Sequence, residues 1–164
     1  MPERRVLVRP SHEADGAAIR RIFVAAGRMA WPHILPVERL SPPRRWFGER
    51  DSETLVAEID GRVVGFAIVR ASGDEDAGRE VGELDGLYTD PSVWGGGVGR
   101  LLLREAEARL SERGFREATL WTAEENHRPR RIYEAAGWHP DGACRQRSLH
   151  GADFVELRYR HRLG

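Results

Sequence analysis

The chain has 164 residues, enough for one domain with a sizeable core, and its 26 basic residues balance its 26 acidic ones. That neutrality excludes a bulk electrostatic pull toward nucleic acid or an anionic membrane. The single cysteine, Cys144, excludes an intrachain disulfide and fits a reducing cytosol, where it reads as a small, buried or half-buried apolar residue. The polar N-terminus and the lack of a long apolar run point to a soluble, cytoplasmic protein. Every basic residue is arginine, the codon bias of a high-GC bacterium, and the six histidines form no metal-ligand spacing, so no metal is expected.

In chain order, residues 6–9 read as a first strand, and residues 13–30 carry apolar side chains at the helical period. The stretch WPHILPVERLSPPRRWF (31–47) is broken by prolines and reads as a loop with a short second helix. LVAEIDGRVVGFAIV (55–69) is a hairpin turning at Asp60 and Gly61. Residues 72–79 form a polar, mobile connection to a fourth strand at 81–89. A helix from Val98 to about Arg113 stacks Val98, Leu102, Ala106 and Leu110 at i+4, with Gly114 as its stop. A fifth strand at 118–122, a helix at 128–136 and two strands near 143–148 and 154–160 complete a single domain, residues 1–164. This order predicts an α+β fold with a mixed, largely antiparallel sheet, helices on both faces, and one parallel pair, the fourth and fifth strands.

The stretch DPSVWGGGVGRLLL (90–103) carries the strongest chemical signal. A strand, a tight glycine turn and a helix N-terminus offer backbone amides to a phosphate. The glycines do not fit the dinucleotide spacing, and a chain without lysine has no Walker A loop. Arg100, in the first helical turn, adds a charge-assisted contact. The alternative is a glycine turn that only packs the helix tightly on the sheet.

The segment VGELDGLYTDPSVWGGGVGRLLL, followed by ENHRPRRIYEAAGW, resembles the GCN5-related N-acetyltransferases (GNAT). The resemblance implies a seven-stranded sheet with one splayed parallel pair and about four helices. It also implies an acetyl-CoA-dependent N-acetyltransferase in which an amine attacks directly within a ternary complex. In the family, a strand ending L-Y-V-x-P leads into Q/R-x-x-G-x-G/A, which binds the pyrophosphate. Here Gly97 and Gly99 match the motif glycines, Trp94 stands where the family has Gln or Arg, and the amides of Gly95, Gly96, Gly97, Val98, Gly99 and Arg100 would carry the contact. The resemblance gives Leu87, Tyr88 and Thr89 backbone contacts to the pantetheine arm and acetyl group. Asn126 would reach the same arm, and Tyr133 would be the proton donor to the departing sulfur, its alternative being an aromatic anchor between helix and sheet. Pro129 replaces the family's alanine.

Glu83 and Asp85, two apart on a strand, share a face. Carboxylates on an apolar strand point to a wet cleft, where the charge of one would raise the other toward neutrality, and the resemblance implies a general base, often acting through water, near Glu83. The alternative is that they hold the substrate ammonium as anions. Arg28, Trp31 and His33, with the hairpin around His150, are candidates for acceptor contacts, although Trp31 also reads as a core aromatic and His33 as a solvated residue. HRPRR (127–131) reads as a solvated or CoA-phosphate-facing patch rather than a nucleic-acid site. The acceptor is expected to be a small-molecule primary amine. The alternatives are a protein N-terminus or lysine, or a non-catalytic acyl-CoA-binding module. The resemblance also implies a homodimer.

Overall fold

The computed structural model describes residues 4–164. Seven strands form one sheet in the order β1-β2-β3-β4-β5-β7-β6, comprising β1 (Val6–Pro10), β2 (Glu53–Ile59), β3 (Arg62–Ala71), β4 (Val81–Thr89), β5 (Glu117–Ala123), β6 (His139–Leu149) and β7 (Ala152–Arg162). All neighbours are antiparallel except β4 and β5. Both hairpin turns place φ in the left-handed region, at Asp60 and Gly61 and again at His150 and Gly151, as two-residue turns of the favoured twist require.

Three α-helices cover the sheet: α1 (Gly16–Ala30), α2 (Val98–Glu112) and α3 (His127–Ala135). Because strand side chains alternate, each central strand feeds two cores. On one face Ile19, Ile22 and Phe23 of α1 pack on Val56, Phe66 and Ile68. On the other, the i+4 stripe of α2 packs with Tyr133 on Ala57, Ala67, Val69 and Leu120. The second helix expected in 31–47 is a single 3-10 turn, Arg44–Trp46, because prolines 42 and 43 leave no room for an upstream helical turn. It still drives Trp46 into the α1-side core.

Two expectations are corrected. Cys144 is exposed, because β6 is an edge strand and alternate side chains on it face outward. The 72–79 connection is tied down: Arg158 of β7 bonds Asp74 and Asp76, and the Trp121 indole donates to Asp74. Among the described residues, no helix is long and apolar enough to cross a membrane.

Candidate active site

β4 and β5 pair over only three positions, the last being Glu83 with Thr119. Beyond it β4 continues to Thr89, still paired to β3 on its other edge. The β5-facing edge of β4 is therefore open over a gap. Two cavities meet there, and both are lined by Trp31, Leu84, Asp85, Tyr88, Trp121, Thr122 and Asn126. One, of about 110 Å³, runs under α2 and α3 past Gly99 and Tyr133. The other, of about 390 Å³, opens on the α1 side between the 31–47 segment and the β6–β7 hairpin.

At the far end of the first cavity lies the glycine loop. Asp90 accepts from the Ser92 amide and starts a 3-10 turn, Pro91–Val93. Gly95 (φ +83°) and Gly97 (φ +85°) then take left-handed backbone, and a Cβ there would meet no atom within 4 Å. Those glycines are needed for backbone conformation rather than for packing. Gly97 caps α2 without a side-chain bond, and the first helical bond runs from the Leu101 amide to the Gly97 carbonyl. The preceding amides, through Arg100, lie at the positive end of the helix. The expected Gly96 contact is corrected, because that amide already donates to the Val93 carbonyl at 3.1 Å. A glycine-rich cradle of this kind fits a diphosphate.

Trp94 lines this cavity, yet its indole N–H donates to the Thr89 carbonyl at 3.1 Å. Indole has only that donor, so Trp94 offers no hydrogen bond to a phosphate, and the Thr89 carbonyl already has a donor. The Trp94 ring instead supports a cation. The Arg128 guanidinium lies 4.6 Å from its centroid, against the same cavity. Spacing did not single out Arg128 within HRPRR; the aromatic at position 94 was the available signal.

On the acceptor side, a bulge decides where the carboxylates point. Ile68 pairs with Gly86 and Val69 with Leu84, leaving Asp85 as the extra residue of β4. Glu83 and Asp85 share a face, as their spacing predicts, and both approach Arg70, at 2.8 and 3.7 Å. Asp85 also accepts from Arg45 and from the Trp46 indole at 2.9 Å. Trp46 lies this close because residue 86 is glycine; a Cβ there would sit 2.9 Å from its ring. Glu83 is buried, and burial pushes its carboxyl above the ordinary glutamate range against the opposing pull of Arg70. Opposite Glu83 in register, Thr119 Oγ1 is a buried hydroxyl without a protein partner.

Tyr133 projects from α3 into the first cavity and bonds no other described side chain, and burial pushes its phenol upward, keeping it protonated. Asn126 lines both cavities, with Nδ2 3.3 Å from the Thr122 hydroxyl. Leu87 and Tyr88 lie along the open edge. Tyr88 also packs edge-to-face with Phe23 and Trp31, at centroid distances of 5.2 and 5.8 Å. Trp31 is thus both a core aromatic and a wall of the gap. Val98 is a core residue on the α2 side, leaving only its backbone to the loop.

Three expected residues stand apart. Arg28 lines neither cavity, because the helical period turns Ala26 and Ala30 inward and residue 28 to solvent. His33 is exposed, with Nε2 3.0 Å from the Glu125 carbonyl, at the rim. The Arg100 side chain is exposed beside the loop. Among the described residues, no cluster of three or more His, Cys, Asp or Glu is placed to hold a metal ion.

Comparison with known proteins agrees with this architecture. The model of the acetyltransferase (GNAT) family matches residues 16–138. An aminoglycoside N(6')-acetyltransferase type 1 from Stenotrophomonas maltophilia is 37% identical over 135 residues, 80% of this chain and 84% of that protein. An uncharacterized N-acetyltransferase from Archaeoglobus fulgidus is 36% identical over 91 residues, 54% of this chain; the chain spans under two thirds of that relative, 62% of its length. A Salmonella typhimurium structure solved with its cofactor acetyl-CoA superposes with TM-score 0.74 at 20% identity, covering 97% of this chain and 94% of that one. A strand opening beside a glycine-capped helix and a family match across three quarters of the sequence lead to one conclusion: the chain belongs to the GNAT acetyltransferase family.

Proposed function

We propose that the chain, as one domain, is an acetyl-CoA-dependent N-acetyltransferase acting on a primary amine of a small molecule. The observation that carries this reading is the open edge of β4, with the glycine cradle at one end and a protonated phenol and a buried carboxylate on its two sides. The amides of Gly95 and of residues 97–100 would hold the pyrophosphate, helped by Arg128, whose cation takes the place of the family's Gln or Arg at position 94. The backbone of Leu87 and Tyr88 would pair with the pantetheine arm as an added strand, with Asn126 beside it. Bound there, acetyl-CoA supplies an activated acyl group as thioester.

Transfer to an amine requires a neutral nucleophile, stabilisation of the developing oxyanion and a proton for the sulfur. Glu83, with its raised affinity for protons, takes the ammonium proton, directly or through a water held with the Thr119 hydroxyl. Asp85 is fixed by Arg45 and Trp46 and shapes the field around it. The backbone amides along the open β4 edge would stabilise the developing oxyanion. Tyr133 keeps a proton at its Oη for the leaving sulfur, in the first cavity where the thioester would lie.

A second reading, transfer to an aminoglycoside, is favoured by the Stenotrophomonas relative. Thiol release from acetyl-CoA, measured against amino acids, simple amines, aminoglycosides, polyamines and peptides, tests the proposal. Turnover on small amines is expected. Tight CoA binding with no turnover on any acceptor would make this a binding module, and turnover on peptides alone would make it a protein acetyltransferase.

A further inference from the structure

The larger cavity carries more information about the acceptor than the family does. Its lining holds three carboxylates, Glu83, Asp85 and Glu156, and three guanidinium groups, Arg45, Arg145 and Arg147. Each carboxylate already has a cation. Arg70 bonds Glu83 at 2.8 Å, Arg45 bonds Asp85 at 2.9 Å, and Arg145 bonds Glu156 at 2.8 Å. Arg145 is further fixed by lying over the Trp121 ring, 4.1 Å from its centroid. Arg147 is the least committed, sharing Glu156 with Arg145. Its Nε is 3.7 Å from the Glu156 oxygen that Arg145 holds, beyond hydrogen-bond distance, and it donates no hydrogen bond to another described residue. An arginine facing a cavity with its planar fork unspent is built to take a carboxylate.

The same accounting argues against a polycationic acceptor. Beyond the β4 carboxylates at the gap, a second or third ammonium would find only Glu156, already held by Arg145, with arginines on both walls, a like-charge placement that disfavours binding. The remaining lining mixes apolar side chains, including Phe23, Leu35, Leu40 and Phe154, with the polar Ser41, Thr122, Asn126 and His150. We infer that the acceptor is an α-amino acid, its amine directed to the β4 carboxylates at the gap and its carboxylate to Arg147 on the β6–β7 hairpin. This rests on the acetyltransferase reading above and narrows it to one substrate class.

The test compares phenylalanine with phenethylamine, the same amine without the carboxylate, and with spermidine, using the full chain and acetyl-CoA. The expected kcat/KM for phenylalanine exceeds that for either other acceptor by about tenfold or more, the value of one half-exposed ionic hydrogen bond. In Arg147→Gln the ratio of phenylalanine to phenethylamine should fall toward one through KM, and Arg147→Lys should recover part of it. A preference for phenethylamine or spermidine, or an Arg147→Gln ratio equal to that of the parent, overturns the inference. Calorimetry of phenylalanine and phenethylamine binding to the CoA-loaded protein separates the two levels of the argument. Absence of turnover together with selective phenylalanine binding defeats only the acetyltransferase reading; equal binding of both, or of neither, defeats this inference.

Discussion

Glu83, Tyr133 and Arg128 each carry a separable expectation. Burial raises the Glu83 carboxyl, so its basic form accumulates only as pH rises through that elevated value. The acidic limb of kcat/KM should therefore lie above the ordinary glutamate pKa of about 4.3, and Glu83→Gln should flatten it. An unmoved limb in a pH–rate series would assign the base elsewhere. Tyr133→Phe keeps the ring that packs near Trp138 and Tyr159 and removes only the hydroxyl. It should lower kcat by about a hundredfold with the acetyl-CoA Kd unchanged, and an equal loss in both would mark an anchor instead. Arg128→Ala removes the cation resting on Trp94. CoA affinity by calorimetry should drop by about tenfold, while acetyl-pantetheine, which lacks the pyrophosphate, should bind as before. These roles differ in how far the sequence reveals them. Glu83 and Asp85 were legible because period-2 geometry puts them on one face, whereas the arginines that hold them come from β3 and from a loop 40 residues away from Asp85, and no local spacing encodes that.

Among the elements, β4 governs the site through two irregularities, the bulge at Asp85 and the end of its β5 pairing at Glu83. The bulge lets two consecutive residues, Asp85 and Gly86, face Trp46, and the glycine at 86 makes room for that ring. Neither can be read from periodicity, because a bulge changes register without changing composition. The 72–79 connection shows the opposite error. Its Gly- and acid-rich composition suggests mobility, but its aspartates meet Arg158, a buried arginine 84 residues from Asp74. Arg158→Ala would leave Asp74 and Asp141 close together with no arginine between them on that side. The melting temperature should fall by roughly 5–10 °C, and amides of residues 72–79 should exchange faster. Because Asp74 also holds the Trp121 indole, the gap wall should loosen with it. Protection of those amides equal to the parent's would show that the loop does not depend on Arg158.

For the molecule as a whole, a ligand that bridges the glycine loop and the open β4 edge should stabilise the folded state by mass action. Acetyl-CoA at a hundred times its Kd should contribute roughly 2.7 kcal/mol, a rise in melting temperature of roughly 5–10 °C for a chain of this size, whereas adenine alone should leave it near the unliganded value. A thermal shift assay reads the difference. The sequence by itself determined the seven strands and the three α-helices between them, both two-residue hairpin turns, the i+4 stripe of α2 and the glycine loop, because each depends on side-chain period or backbone conformation over a few neighbouring residues. Its match to the GNAT family over residues 16–138 follows from the same local motifs. Only the tertiary structure decided that β4 and β5 separate after Glu83, that Trp94 spends its donor on Thr89 and supports Arg128, that Arg28 faces away, and that Arg147 lines the larger cavity with only a 3.7 Å approach to Glu156. Those are contacts between segments far apart in sequence, and what each side chain touches follows from packing and charge pairing in three dimensions, which no local pattern contains.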